Sequence, residues 1–458
     1  MITLLRKNID INKVFMFFFI AYTISFAVEK LVSLRTSLGV IFLPEILFIP
    51  MAITFLFQLP NIWQNRQSVF SEWLKIDSLI LAYGLIVLTA YFQHPTNNSL
   101  RELIGCGYMT SFYFVINFAF RHQKLNIWFK SGLTLFALLG ILASFISIGS
   151  YILGVIGMDK NLSQTNGGYP LIGDTLRAYG FFRNPIFHAN YLICTFIVFA
   201  SYYFVEIKRL ILRFGILLLL FFLAIFLTKT KSFLLFFAVV TYFVTQLWEI
   251  KKLLRYTIYF IAILSIFAYV FLSHFLIVDM TQPHLTEKLS SDYYFPEYIW
   301  SFTDHYALVP TFYYGTKRAA LLACYDFFPF GVGGDNLGIY VNQLVAQGRH
   351  FQAFCCAPHS TFFGALGELG VIGFGIVVAL FIKMWRMATT ITLSDSVAPH
   401  LNLMLKAIIF FLAVEAITVD LMNIRHFWLI ISFLALLFRE HVAQKHNTVE
   451  VSKVNEKN

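Results

Sequence analysis

Apolar residues run through this chain in blocks of about twenty, separated by short polar segments that hold most of its lysines and arginines. A hydrocarbon core of about 30 Å needs roughly 20 apolar residues when each adds 1.5 Å of helix. Measured that way, the pattern predicts about twelve spans, near residues 13–29, 37–57, 77–93, 102–120, 131–157, 186–205, 210–227, 232–249, 254–276, 360–384, 401–421 and 423–439. The spans at 210–227 and 232–249 are separated only by Thr228-Lys229-Thr230-Lys231. The expected fold class is an all-α polytopic membrane protein in which residues 1–458 form one transmembrane domain. No soluble domain, internal repeat or low-complexity linker interrupts the pattern.

Two polar segments are longer than turns, at 158–185 and 277–359. The second carries Tyr293, Tyr294, Phe295, Tyr298, Trp300, Phe302 and Tyr306. Loops of this length are usually functional or disordered, and aromatic side chains favour the headgroup layer over disorder. It is expected to be a partly helical lid lying between spans nine and ten.

Basic residues in alternate loops set the orientation. One set holds Arg6, Lys7 and Lys13; Arg121, Lys124 and Lys130; Lys208, Arg209 and Arg213; and Lys251, Lys252 and Arg255, with Arg439 and Lys445 in the tail. These segments read as cytoplasmic, which puts both termini inside. Residues 158–185, the Lys229–Lys231 turn and 277–359 then fall on the outer face. The apolar run after Lys13 lacks a small-residue cleavage site, so it reads as a first membrane helix rather than a removable signal.

Composition agrees with a bilayer protein. Hydrophobic residues make up 59% and charged residues only 13%, against about 25% charged in soluble domains. The net charge of +10 does not point to nucleic acid, because the cations are scattered where they can anchor to anionic membrane lipids. The five cysteines (Cys106, Cys194, Cys324, Cys355 and Cys356) have no zinc or redox spacing. Isolated thiols are expected, with a bridge from Cys324 to Cys355 or Cys356 as the alternative.

Candidate chemistry gathers on the outer face. His359 sits where the long polar segment meets an apolar helix, and imidazole exchanges protons near neutral pH. Arg177, Lys231 and Arg318 lie in three separate outer segments. Guanidinium groups clamp phosphate oxygens and lysine adds a point charge, so the set suits a lipid-linked diphosphate. The bland reading of each cation is an interfacial anchor, and of His359 a helix-capping residue. Glu29, Glu45, Glu102, Glu415 and Asp420 lie in or near apolar spans, where ionisable groups are costly and either pair or function. Glu415 is the deepest of them. Glu368 is nine residues past His359 and about 180° around the helix, which favours packing over contact.

The order of motifs resembles the O-antigen ligase and polymerase superfamily of bacterial inner-membrane glycosyltransferases. The resemblance rests on Arg177-Ala178-Tyr179-Gly180-Phe181-Phe182-Arg183-Asn184-Pro185, on Thr230-Lys231-Ser232, on Arg318 ahead of Phe328-Pro329-Phe330-Gly331-Val332-Gly333, on Pro358-His359-Ser360, and on Gly367-Glu368-Leu369-Gly370-Val371-Ile372-Gly373. It covers roughly the C-terminal 60% of the chain, and its most specific block is 331–373. The resemblance implies that His359 is the essential histidine, followed by Ser360 where the family has asparagine. It implies that Arg318 binds undecaprenyl diphosphate, matches Arg177 to the arginine of the family's Arg-Ala-x-Gly stretch, and puts Lys231 where the family carries arginine. Ile186 and His188 depart from the family's continuation, which leaves His188 without an inherited role. The implied reaction transfers a glycan from undecaprenyl diphosphate to a sugar hydroxyl at the periplasmic face, with inversion and without metal or other cofactor. The acceptor is lipid A–core for a ligase, the slightly favoured reading, or another lipid-linked glycan for a polymerase of O-antigen, capsule or exopolysaccharide. The competing class, a lipid-linked oligosaccharide transporter, expects inverted repeats and broken midplane helices.

Overall fold

The computed structural model describes residues 11–36, 39–60, 73–120, 125–158, 162–169, 173–202, 211–247, 252–279, 281, 300–301, 303–347, 359–391 and 398–455. Within them the apolar blocks form α1 (Ile11–Ser25), α2 (Leu43–Leu56), α3 (Lys75–Gln93), α4 (Asn97–Ala119), α5 (Leu125–Val155), α6 (Pro185–Tyr202), α7 (Ile211–Leu227), α8 (Ser232–Leu247) and α9 (Lys252–His274). The chain continues through α10 (Phe312–Asp326), α11 (Leu337–Ala346), α12 (Thr361–Thr390), α13 (Ala398–Glu415) and α14 (Arg425–Asn455). Helix α3, residues Ser131–Val155 of α5, α9, α12 and residues Arg425–Lys445 of α14 are each long and apolar enough to cross a membrane. Helices α1, α2, α6, α7 and α8 are apolar but shorter. A mostly helical membrane protein is therefore what the chain forms.

Strands appear where the sequence pattern suggested only helix or loop. Residues 39–42, expected within a span, instead form β2 (Gly39–Phe42) and pair antiparallel with β1 (Ser33–Thr36). Helix α2 can start only after that hairpin, and Pro44 in its first turn, where no amide bond is lost, fixes the entry. The 158–185 segment holds a second hairpin, β3 (Ser163–Tyr169) with β4 (Gly173–Ala178). The 277–359 segment is partly helical, through α10 and α11. It also holds most of a sheet in which β7 (Tyr306–Pro310) pairs with both β5 (Phe275–Asp279) and β6 (Trp300–Ser301). Of the aromatics expected to order it, Tyr293, Tyr294, Phe295, Tyr298 and Phe302 lie outside the described residues. Cys355 and Cys356 do too, while Cys106, Cys194 and Cys324 are buried free thiols.

The glycine-rich block is a packing device. Helix α12 breaks at Gly370, whose φ is 69°, and residues 331–333 dock against the exposed turn. Val332 and Gly333 donate their amides to the carbonyls of Gly367 and Glu368 at 3.0 and 2.9 Å. A Cβ on Gly331 would come within 2.6 Å of the Gly367 oxygen, and its φ of 73° disfavours any side chain. The start of α12 is fixed just as tightly to the turn after α13. Thr361 donates its amide to Ala416 at 2.9 Å and its hydroxyl to Val419 at 2.9 Å, and accepts from the Leu421 amide at 2.8 Å.

Several buried charges pair with one another, which offsets the cost of removing them from water. Glu29 accepts from Arg183 and Arg425, each at 2.6 Å, and Arg425 also bonds Glu45 at 2.7 Å. This cluster ties the first hairpin and the Arg183 loop to the start of α14. Arg439 lies within α14, 14 residues and about 21 Å beyond Arg425. It bonds Asp77 at 2.6 Å, and Tyr113 donates to the same carboxylate at 2.5 Å. Arg439→Met should cost about 3–5 kcal/mol by stranding a buried carboxylate. Thermal unfolding in detergent checks this, with Asp77→Asn/Arg439→Met expected to recover part of the loss.

Candidate active site

Four segments meet at the mouth of α12. Strand β4 brings Arg177, which is buried and donates from Nε to the Thr228 carbonyl at 3.1 Å. That bond ties the β3–β4 hairpin to the turn between α7 and α8. The turn is closed by Thr228 Oγ1 donating to Ile225 at 2.6 Å, and Lys229 adopts a left-handed φ of 49°. Lys231, the last residue before α8, donates its ammonium to the Leu272 carbonyl near the end of α9. The same ammonium lies 5.7 Å from the centre of the Tyr313 ring.

Tyr313 belongs to α10, whose start is held because Thr311 donates its amide to His274 and its hydroxyl to Ser273, both at 2.7 Å. The Tyr313 ring meets the His359 ring edge-on, with centroids 5.3 Å apart and planes at 68°. One helical turn further, Lys317 shares that face of α10. Lys317 is buried, contacts His274 Nε2, and lies 5.6 Å from the Phe363 ring centre. His274 Nδ1 is 2.6 Å from the Val270 carbonyl. A carbonyl accepts only, so the ring proton sits on Nδ1 and Nε2 accepts from Lys317.

His359 immediately precedes the Ser360 N-cap, whose Oγ accepts from the Phe363 amide at 3.2 Å. Its own φ is 45°, a left-handed conformation that histidine adopts more readily than most residues but that still carries strain. Backbone strain of this kind often marks functional positions.

The electrostatics are one-sided. Burial pushes the Lys231 ammonium down to about 8, and Arg177 adds repulsion. Burial likewise lowers Lys317 to about 7, with Lys231 adding to it. His359 is lowered from its ordinary value by burial and then by Lys317. The ion pairs among the described residues join other groups, and none includes Arg177, Lys231 or Lys317. Lys231 is repelled by Arg177 and Lys317 by Lys231, and with no ion pair to a carboxylate among the described residues the arrangement suits a multiply charged anion. The imidazole beside them is held neutral at physiological pH, able to accept a proton.

Of the residues singled out from sequence, Arg177, Lys231 and His359 are linked through Thr228 and Tyr313. Arg318 lies on α10 too, but one residue past Lys317, about 100° around the helix from the Tyr313–Lys317 face. Sequence reading placed Lys317 beside Arg318 among the outer cations but chose Arg318 as the site residue, and it missed Tyr313 and His274 as parts of the cluster. The four-residue spacing of Tyr313 and Lys317 was the available signal. Glu415 is fully buried and accepts from Ser232 at 2.9 Å and Tyr269 at 3.2 Å, so it braces the start of α8 beside Lys231. His188 is buried and stacks on Phe182 with centroids 4.6 Å apart, a packing role. No protein-family model matches the chain, and no curated protein is significantly similar to it.

Proposed function

We propose that the protein is a membrane glycosyltransferase that moves a glycan from undecaprenyl diphosphate to a sugar hydroxyl. The observation that carries this reading is the convergence of Arg177, Lys231 and Lys317 beside a neutral His359 in a membrane-embedded chain. The cations hold the diphosphate and stabilise the charge that develops on it as the glycosidic C1–O bond breaks. Arg318, adjacent on α10, adds the forked contact that its motif suggests. His359 accepts the proton of the attacking hydroxyl as that oxygen bonds to C1 from the face opposite the leaving group. Undecaprenyl diphosphate departs with the electron pair. The scheme uses no metal or cofactor.

The full reading includes about twelve membrane crossings, cytoplasmic termini and an active site facing the periplasm of a bacterial inner membrane. The acceptor is lipid A–core in an O-antigen ligase, the favoured form, or a second lipid-linked repeat in a polymerase. Purified protein in nanodiscs, given lipid-linked repeats with and without lipid A–core, separates the two. Product only with core identifies a ligase, and chains that lengthen without core identify a polymerase. No new glycosidic bond under either condition removes the transferase reading and favours a transporter.

A pH dependence follows from the cation cluster. Lysine pKa values that are depressed in the free protein mean that an anion binds best below about 7 to 8 and loses affinity as pH rises through that window. The kcat/KM for donor should therefore fall between pH 7 and 9, while its acid limb lies below the ordinary imidazole pKa of about 6.5. A pH profile that stays flat to pH 9 would contradict the role of the lysines.

A further inference from the structure

The last turn of α9 holds both lysines of the cation cluster, and it does so without neutralising either. The final carbonyls of a helix lack partners inside it, and together they carry a partial negative charge. In α9 those of Leu272, Ser273 and His274 are filled from outside. Leu272 accepts from the Lys231 ammonium, Ser273 from the Thr311 hydroxyl at 2.7 Å and His274 from the Thr311 amide at 2.7 Å. The chain then enters β5, which pairs antiparallel with β7 just ahead of α10. The Phe275 and Tyr314 rings add a contact, with centroids 5.5 Å apart. The end of α9 is therefore fixed against the start of α10 by bonds that do not involve Lys317.

The His274 side chain is held in the same frame. Its Nδ1 lies 2.6 Å from the Val270 carbonyl, so the proton sits there and Nε2 presents its lone pair to Lys317. Among the described residues, that nitrogen is the one hydrogen-bond acceptor the Lys317 ammonium reaches. An ammonium has three N–H donors on a flexible four-carbon stem. One goes to His274, and two are left for a ligand. The Phe363 ring centre, 5.6 Å away, attracts the cation but offers no lone pair. A carboxylate at position 274 would fix the stem equally well and cancel its charge. A neutral imidazole fixes the stem and leaves the charge available. Lys231 follows the same rule, with the Leu272 carbonyl as its neutral acceptor.

We infer that His274 is a positioning residue of the anion site: as a neutral acceptor it aims the Lys317 ammonium and leaves that charge for the phosphate groups. The inference rests on the reading of the cations as a diphosphate site, and it names what orients one of them. His274 acts only through Lys317.

The test measures the affinity of inorganic pyrophosphate for the full-length protein in nanodiscs by calorimetry. Pyrophosphate carries the diphosphate without lipid or sugar. His274→Gln keeps an acceptor oxygen near the Nε2 position, whereas His274→Phe keeps a ring and removes the acceptor. His274→Phe should weaken binding about tenfold, and His274→Gln should stay within about threefold of wild type. In a Lys317→Ala background, His274→Phe should change nothing further. A packing role predicts the reverse order, because phenylalanine replaces the ring better than glutamine does. Wild-type affinity in His274→Phe, or an equal loss with and without Lys317, overturns the inference and leaves the diphosphate site standing. No pyrophosphate binding by the wild-type protein overturns both. If His274→Phe melts below wild type, nitrogen NMR of histidine-labelled protein decides instead. The His274 signal, assigned by its absence from His274→Gln, should show an Nδ1-protonated ring whose Nε2 signal shifts in Lys317→Ala. An unchanged signal overturns the inference. Pyrophosphate binding in the expected order by a protein that transfers no glycan keeps the role of His274 and removes the transferase reading.

Discussion

His359→Asn lowers glycan transfer by about 10²–10⁴-fold, the usual contribution of a positioned general base, and leaves donor affinity unchanged. Asparagine is the cleaner replacement because position 359 has a φ of 45°. Asn tolerates that left-handed backbone, whereas alanine adds conformational strain to the loss of the base. His359→Ala is expected to be equally inactive but less stable. Single-turnover rates with labelled donor, together with a binding isotherm for that donor, separate the two effects. An asparagine variant that transfers at the wild-type rate would show that His359 is only an N-terminal helix residue.

Removing either lysine acts on the other substrate. Lys317→Ala and Lys231→Ala should each raise donor KM about ten- to hundredfold, because a hydrogen bond to a charged group contributes about 1.5–3 kcal/mol. Acceptor KM should stay as it is. Conservative variants distinguish charge from packing. Arginine remains protonated throughout the working range, so Lys317→Arg should retain donor binding and carry the alkaline fall in kcat/KM to higher pH. A lysine that merely filled space between His274 and Phe363 would leave the pH profile where it was. Arg318→Ala beside Lys317→Ala shows whether the motif-matched arginine or the neighbour that faces His359 holds more of the diphosphate.

The helical membrane fold was legible because the apolar period is a one-dimensional property of the chain. Element boundaries were less so. Residues 39–42 are as apolar as the helix that follows, but their hydrogen bonds go to residues 33–36, a pairing that hydropathy does not encode. Arg439 looked like an interfacial anchor, and its partner Asp77 is 362 residues away. Such long-range compensation is invisible until the chain is folded.

The candidate site divides in the same way. Arg177, Lys231 and His359 were each visible as polar residues at apolar boundaries, and the glycine spacing of residues 331–373 marked the place where a loop lies against a broken helix. Their convergence was not visible, since it depends on Thr228 receiving Arg177 and on Tyr313 standing between Lys231 and His359. The choice of Arg318 over Lys317 followed motif order, whereas the four-residue step from Tyr313 selects Lys317 as the cation on the His359 face. Ser360 in place of asparagine keeps the local structure, because both side chains are favoured at a helix N-cap. Glu368 was assigned to packing from its angular distance to His359, and its carbonyl accepts the Gly333 amide where the loop lies against α12.

The most direct test of the reaction is its stoichiometry in a purified system. Wild-type protein in nanodiscs, supplied with doubly labelled undecaprenyl-diphosphate-linked glycan and an acceptor, should release one undecaprenyl diphosphate for each glycan joined to a sugar hydroxyl, and His359→Asn should do neither. Intact lipid-linked glycan recovered from the wild-type reaction, or undecaprenyl diphosphate released without a new glycosidic bond, would contradict glycan transfer at this site.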